Sequence, residues 1–299
     1  MIDDDPELHR LQALLARYRT DLPSIDFSKV RPRRPVRSHW YAAMAAMLLV
    51  VVTAIVLVRR PQPAEWSTGH STLHIGQVIH AGKSLRLESA IGIVDVAPNT
   101  TIALAGRSRL DLRVGTIHAW TSSPPGVFIV DVPNGQAIDL GCEYTLSVTP
   151  QGNAFLHVTA GWVALEPGFL QSVVPAGASA EMIPAGRVTP PLFDDAAPGF
   201  KADVRAYALL DDAAALGRLL PLARRHDALT LLNLFRNASA EERMLLWDRL
   251  NQLVPAPTSV PRESMRVWTI TTTEPWWLPV MKATGVQPLK KKGRKGGSG

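Results

Sequence analysis

The side chains that could do chemistry are few and scattered. His70, His74, His80, His118 and His157 fall within one stretch of about ninety residues, and imidazole is a common metal ligand. His70 and His74 stand four apart, a spacing that puts two side chains on one face of a helix. The surrounding pattern reads as strand and turn, where that spacing loses its force. His118 and His157 fall on separate predicted strands and read as surface or rim residues. No metal site is therefore expected. Cys142 is the only cysteine, so an intramolecular disulfide and a zinc site of several thiolates are both excluded. It reads as a buried free thiol, with an intermolecular bridge as the alternative. Glu241, Glu242 and Asp248 are the closest approach to paired carboxylates, and on a predicted helix face they read as solvated charge. Nothing groups an acid, a base and a nucleophile. The sequence predicts no enzyme, no cofactor and no small-molecule substrate.

The longest feature that could position anything is Trp40–Val58, WYAAMAAMLLVVVTAIVLV, nineteen residues without a charge. At about 1.5 Å per residue a helix of that length covers roughly the hydrocarbon thickness of a bilayer. Lys29, Arg31, Arg33, Arg34 and Arg37 precede it, and Arg59 and Arg60 follow it. The excess of positive charge on the N-terminal side predicts that residues 1–39 are cytoplasmic and the bulk of the chain external. A cleaved signal peptide fits less well, because the run is long and starts about forty residues in. The formal net charge of +6 is concentrated in that basic flank and in Lys290, Lys291, Lys292, Arg294 and Lys295. The flank is explained as a topology signal, so direct nucleic-acid binding is not expected.

Within residues 1–39, Asp3, Asp4 and Asp5 lead into Pro6, and Leu8, Leu11, Leu14, Leu15 and Tyr18 follow at helical spacing. So short a helix is marginal alone in water. Its apolar stripe is the candidate partner-binding surface; a poorly ordered tail is the alternative. Pro23, Pro32 and Pro35 make the rest a linker.

Beyond about residue 69, short alternating apolar runs recur every eight to twelve residues between turns such as Pro98-Asn99, Pro133-Asn134-Gly135 and Ala160-Gly161. This is an all-β signature. VDVAPNTTIALAGRSRLDLRV from Val94 is echoed by VDVPNGQAIDLGCEYTLSV from Val130, an offset of about 36 residues. A fixed offset predicts stacked rungs, hence a solenoid.

The same strands carry a family pattern. Asn99–Leu104 is followed by Arg109-Leu110, then by Leu112–Trp120 (LRVGTIHAW) and by Gly126–Val130 with Val132-Pro133. Leu140–Val148 (LGCEYTLSV) has Cys142 where Thr is usual, and Phe155–Leu165 (FLHVTAGWVAL) closes the pattern. From about Gly69 to Glu166 this succession resembles a FecR-type domain. The resemblance implies a single-pass regulator of the bacterial inner membrane. Its short cytoplasmic segment would contact an extracytoplasmic-function sigma factor. Its periplasmic domain would receive a signal from an outer-membrane receptor. Two features depart from the family: the cytoplasmic part is shorter than a complete anti-sigma domain, and a helical region stands where a transporter-contacting subdomain is usual.

That region, 201–285, is predicted from apolar stripes at Leu209–Leu220, Leu229–Phe235 and Met244–Leu253. Ser239 and Glu242 form a capping box at the start of the third stripe. The expected fold is thus mainly β, a FecR-type solenoid or roll over 69–190, with one transmembrane helix at 40–58. A small helical region over 201–285 and a disordered basic tail over 286–299 complete it. The functional expectation is an anti-sigma-type signal transducer. The alternative is a membrane-tethered periplasmic binding or scaffold module without transcriptional output.

Overall fold

The structure, a computed structural model, describes residues 65–69, 71–168 and 171–287. The stripe Leu8, Leu11, Leu14, Leu15 and Tyr18, the apolar run 40–58, His70 and the basic tail beyond Gln287 lie outside the described residues. The described residues belong to one compact unit.

Fourteen strands come first: β1 (Val78–Ala81), β2 (Leu85–Ser89), β3 (Gly92–Val96), β4 (Thr100–Gly106), β5 (Arg109–Thr121), β6 (Ile129–Val132), β7 (Gly135–Asp139), β8 (Glu143–Val148), β9 (Ala154–Ala160), β10 (Trp162–Glu166), β11 (Ser172–Pro175), β12 (Ala178–Ile183), β13 (Arg187–Val188) and β14 (Leu192–Phe193). All join in one sheet with two wings that share β5. The first half of β5 pairs with β4 and β6, and through β6 the wing continues to β7, β10 and β11. The second half pairs with β3 and β8, and through β8 the other wing continues to β9 and β12. The wings approach again where the turn after β11 hydrogen-bonds back to Gly161 and Val158, so the sheet is nearly closed and barrel-like.

Sequence pattern places the core. Tyr144, Leu146 and Val148 of β8 alternate inward beside Ala154, Leu156 and Val158 of β9. Each such fully buried aliphatic contributes about 1.5–3 kcal/mol. Trp66 enters the same core against Phe128, with ring centroids 5.6 Å apart, and its indole N–H donates to the Arg107 carbonyl.

This architecture corrects the expected fold. A solenoid needs equivalent strands stacked in parallel, yet among the described residues only β5 and β6 pair in parallel, over three residue pairs. The two VDV segments are β3 and β6, on different wings. After the first, Asn99 (φ 59°) takes the chain from one wing to the other. After the second, Pro133-Asn134 closes a simple hairpin in which Val132 faces Gly135. The echo is one of local pattern, not of tertiary role. Arg109-Leu110 and Leu112–Trp120, successive pieces of the family pattern, both fall within the single thirteen-residue β5. Among the described residues no helix is long and apolar enough to cross a membrane.

Five α-helices follow: α1 (Pro198–Leu210), α2 (Ala214–Leu222), α3 (Ala228–Leu234), α4 (Ala240–Leu253) and α5 (Glu274–Thr284). Asp211, at φ 56°, breaks the stripe Leu209–Leu220 into α1 and α2. The seven residues of α3 are all buried; five are apolar, and the Asn233 side-chain amide donates to the Leu229 carbonyl. The Thr230 hydroxyl of α3 donates to the Pro191 carbonyl, tying it to the strands. The Ser239–Glu242 box forms: the Glu242 N–H donates to Ser239 Oγ at 3.2 Å, and the Ser239 N–H to Glu242 Oε2 at 2.7 Å.

Candidate functional site

Three connections at one end of the sheet lie against the helical region. The turn between β7 and β8 (Leu140, Gly141) meets the turn between β9 and β10 (Gly161) through a Leu140 N–H bond to the Trp162 carbonyl, 3.1 Å. The turn between β11 and β12 joins them, with the Ala176 N–H on the Gly161 carbonyl at 3.0 Å. Gly161 has φ 74°, and a Cβ there would overlap the Gly141 carbonyl oxygen; only glycine allows this approach.

Around these turns opens a cavity of about 1090 Å³. Its sheet side is made by the turns and by Ser122, Ser123, Pro124 and Pro125 of the loop after β5. Facing them are Phe193 of β14, His226 and the end of α5, Thr284–Gln287. Trp162 lines it and is anchored by its indole N–H on the Gln287 carbonyl, 3.0 Å. His226 lies over Phe193, with ring centroids 4.1 Å apart and planes 24° from parallel.

Two polar networks support the walls. Asp139, fully buried at the end of β7, accepts from the Thr121 hydroxyl, the Cys142 thiol and the Gly141 N–H (3.0 Å), with Ser123 Oγ at 3.4 Å. Burial, and then the neighbouring Asp139, push the Cys142 thiol well above its ordinary value. A thiol held protonated is a poor nucleophile and metal ligand. Burial likewise raises Tyr144, whose hydroxyl has no hydrogen-bond partner among the described residues. On the helical side, His226 Nδ1 is 3.0 Å from Asp195 Oδ1. Arg224, whose hydrogen bonding outweighs that of His226, holds the Asp195 carboxyl below its ordinary value. Arg224 also binds the fully buried Asp227, which accepts from its backbone N–H (2.8 Å), Nε (2.9 Å) and Nη2 (3.1 Å).

The residues singled out by sequence lie elsewhere, Cys142 excepted. His80 hydrogen-bonds Thr101, His118 bridges Thr145 and Glu143, and His157 pairs with Asp194 at 2.9 Å. His118 and His157 are half-exposed on the outer face of the sheet. Among the described residues no group of three or more His, Cys, Asp or Glu could hold a metal ion. Glu242 serves as the helix cap, and Asp248 is held by Arg262 at 2.6 and 2.7 Å. His226 and its neighbours went unseen because Asp195, Arg224 and Phe193 meet only in the fold. The sole local trace is the segment Arg224–Asp227.

No family model matches the chain, the FecR-type stretch included, and no curated protein matches it. Among solved structures, two crystal structures titled "putative anti-sigma factor", both from Parabacteroides distasonis, align with it. Their identities are 13% and 12% and their TM-scores 0.34 and 0.33. The structural neighbours are anti-sigma-factor-like. Each alignment covers 40% of this chain and 60% of the other. At those scores the likeness assigns no function to this chain.

Proposed function

We propose that the chain is a FecR-like, membrane-anchored regulator of the bacterial envelope that passes an external signal to a cytoplasmic sigma factor. The observation that carries this reading is the pattern in Leu140–Val148 and Phe155–Leu165, which resembles the FecR type at its most specific motifs. The order along the chain agrees with it: an amphipathic stripe at Leu8–Tyr18, a basic linker, the apolar run 40–58, then the β region. Leu8, Leu11, Leu14, Leu15 and Tyr18 are the proposed sigma-factor contact. Neither catalysis nor a cofactor enters the proposal.

The test is a pull-down from membranes of the full chain beside a version lacking residues 1–28. Recovery of a sigma factor with the full chain alone supports the regulator. Recovery of the same envelope proteins by both, with no sigma factor, replaces it with the tethered binding module. The large cavity on the external part favours that second reading, because a binding module needs a site and no output segment.

A further inference from the structure

On the outer face of the wing that holds β3, β5 and β8 we infer a binding surface for a neutral glycan. The exposed indole of Trp120 is its stacking platform, and a polar groove beside it takes the sugar hydroxyls. The inference goes beyond the regulator reading and concerns the β region alone.

The strand register lays out the surface. Arg86, Asp95, His118, Thr145 and His157 form one row across β2, β3, β5, β8 and β9. Glu88, Ile93, Trp120 and Glu143 form the next row. The residues between the rows, Leu87, Val94, Ala119 and Tyr144, are buried, so both rows point away from the core. Trp120 is 49% exposed. Same-face positions along a strand are about 7 Å apart and neighbouring strands about 5 Å apart, so the indole stands beside His118, Ile93 and Glu143. On the far side of His118 the face sinks into a groove of about 460 Å³, with Ser84, Arg86, Asp95, Thr116 and His118 in its walls. That volume falls within the range of small-ligand clefts.

The polar groups are fixed before any ligand arrives. Arg86 donates to Asp95 through Nε at 2.7 Å and Nη2 at 2.9 Å. His118 sits between the Thr145 hydroxyl at 3.2 Å and the Glu143 carboxylate at 3.1 Å. Side chains held in this way lose little further freedom on binding. The bonds do not exhaust them, because a guanidinium has further N–H donors and a carboxylate further lone pairs. The Arg86–Asp95 pair thus offers donors and acceptors side by side. A hydroxyl donates and accepts at once, so neighbouring hydroxyls of a pyranose ring fit both members of such a pair. The C–H groups on one face of that ring suit the electron-rich face of the indole.

Charge argues against other occupants. Glu88, Asp95 and Glu143 lie around the indole and the groove, and Arg86 is engaged by Asp95. Anionic lipid, nucleic acid and acidic polysaccharide are repelled from such a surface. The centre of a protein–protein interface is depleted of charged residues, whereas charges ring this indole.

The probes are cellohexaose, which is neutral, and its sulfated derivative, which carries the same backbone with negative charge. Each is titrated calorimetrically into the full chain in lipid nanodiscs, with empty discs subtracted. Saturable binding of cellohexaose is expected, with the sulfated form at least tenfold weaker. Trp120→Ala is expected to weaken cellohexaose at least tenfold, and Trp120→Phe, which keeps a smaller ring, by less. Arg86→Ala removes groove donors and is expected to cost about tenfold, the worth of one or two hydrogen bonds. Trp120 and Arg86 are exposed, so these variants keep the fold, and an unchanged urea midpoint checks it. Leu278→Ala, an exposed position on α5, should bind as the parent does. The inference is overturned by the absence of saturable cellohexaose binding, by equal binding of the sulfated form, by an unchanged affinity in Trp120→Ala, or by an equal loss in Leu278→Ala. No sigma factor takes part, so failure here leaves the regulator proposal to its own pull-down.

Discussion

Gly161 and Gly177 offer a matched pair for testing how the cavity end of the sheet is held. Both stand at φ 74°. A Cβ on Gly177 would meet nothing within 4 Å, whereas a Cβ on Gly161 would overlap the Gly141 carbonyl oxygen and approach Cys142 Cα at 3.0 Å. Alanine at either position must adopt the left-handed conformation, at about 1–2 kcal/mol. Gly177→Ala incurs only that cost. Gly161→Ala must also push the turn between β7 and β8 away from that between β9 and β10. The added strain is about 1–3 kcal/mol. The Leu140–Trp162 backbone bond at this contact, 3.1 Å long, puts about 1 kcal/mol more at risk. The expected difference between the variants is therefore about 2–4 kcal/mol. With a urea m-value of about 2 kcal/mol/M, their unfolding midpoints should differ by about 1–2 M. The assay is urea denaturation followed by tryptophan fluorescence, with the m-value checked for each variant. Equal midpoints for the two variants would refute the close approach of the turns on which the cavity depends.

Three other outcomes are expected. Cys142, buried and held protonated beside Asp139, should resist iodoacetamide in the folded chain and react fully once urea unfolds it; mass spectrometry reads both states. Asp227→Ala removes the acceptor of three Arg224 bonds and should lower stability by about 2 kcal/mol, a value discounted because Arg224 is half-exposed; Asp227→Asn should recover part of it in urea melts. Asp195 is held below its ordinary value of 3.8 by Arg224 and then His226. Its contribution is therefore present above that pH and lost as pH falls through the lower folded value, so the stability gap between the parent and Asp195→Asn should close below about pH 4.

The sequence showed β structure through its alternation and turns, and showed α4 through its capping box, because those signals are local. It did not show the wings. Whether VDV becomes β3 in one wing or β6 in the other depends on what the chain does at the next turn, and Pro-Asn serves both a crossover at Asn99 and a hairpin at Asn134. His80, His118 and His157, which the sequence offered as possible ligands, are surface residues of the sheet. The histidine on the cavity wall, His226, gains its role from Phe193 and Asp195, about thirty residues away along the chain. Cys142 was legible as a buried thiol, but its partner Asp139 was not, since an aspartate ending a strand ordinarily marks a solvated turn.

The link between fold and site runs through β5. Its first half turns Leu110 and Leu112 inward, and its second half turns Ile117, Ala119 and Thr121 inward. An uninterrupted strand keeps one parity, so the chain must shift by one residue between them. The register does so at Arg113: Thr101 faces Val114, while Ile102 faces Leu112. Gly115 follows at φ 103°, where a Cβ would overlap Thr100. That bulge and glycine let one strand serve two wings, and they also set what the strand delivers at its end. With the shift, Thr121 points inward to donate to Asp139, and Trp120 points out to solvent, 49% exposed. Without it the indole would face the carboxylate and the hydroxyl would face water. Asp139 would then lose a donor, and the loop Ser122–Pro125 would leave the strand in the opposite sense. The cavity wall is thus a consequence of a one-residue irregularity some eight residues earlier, which joins the wings and orients the site in the same step.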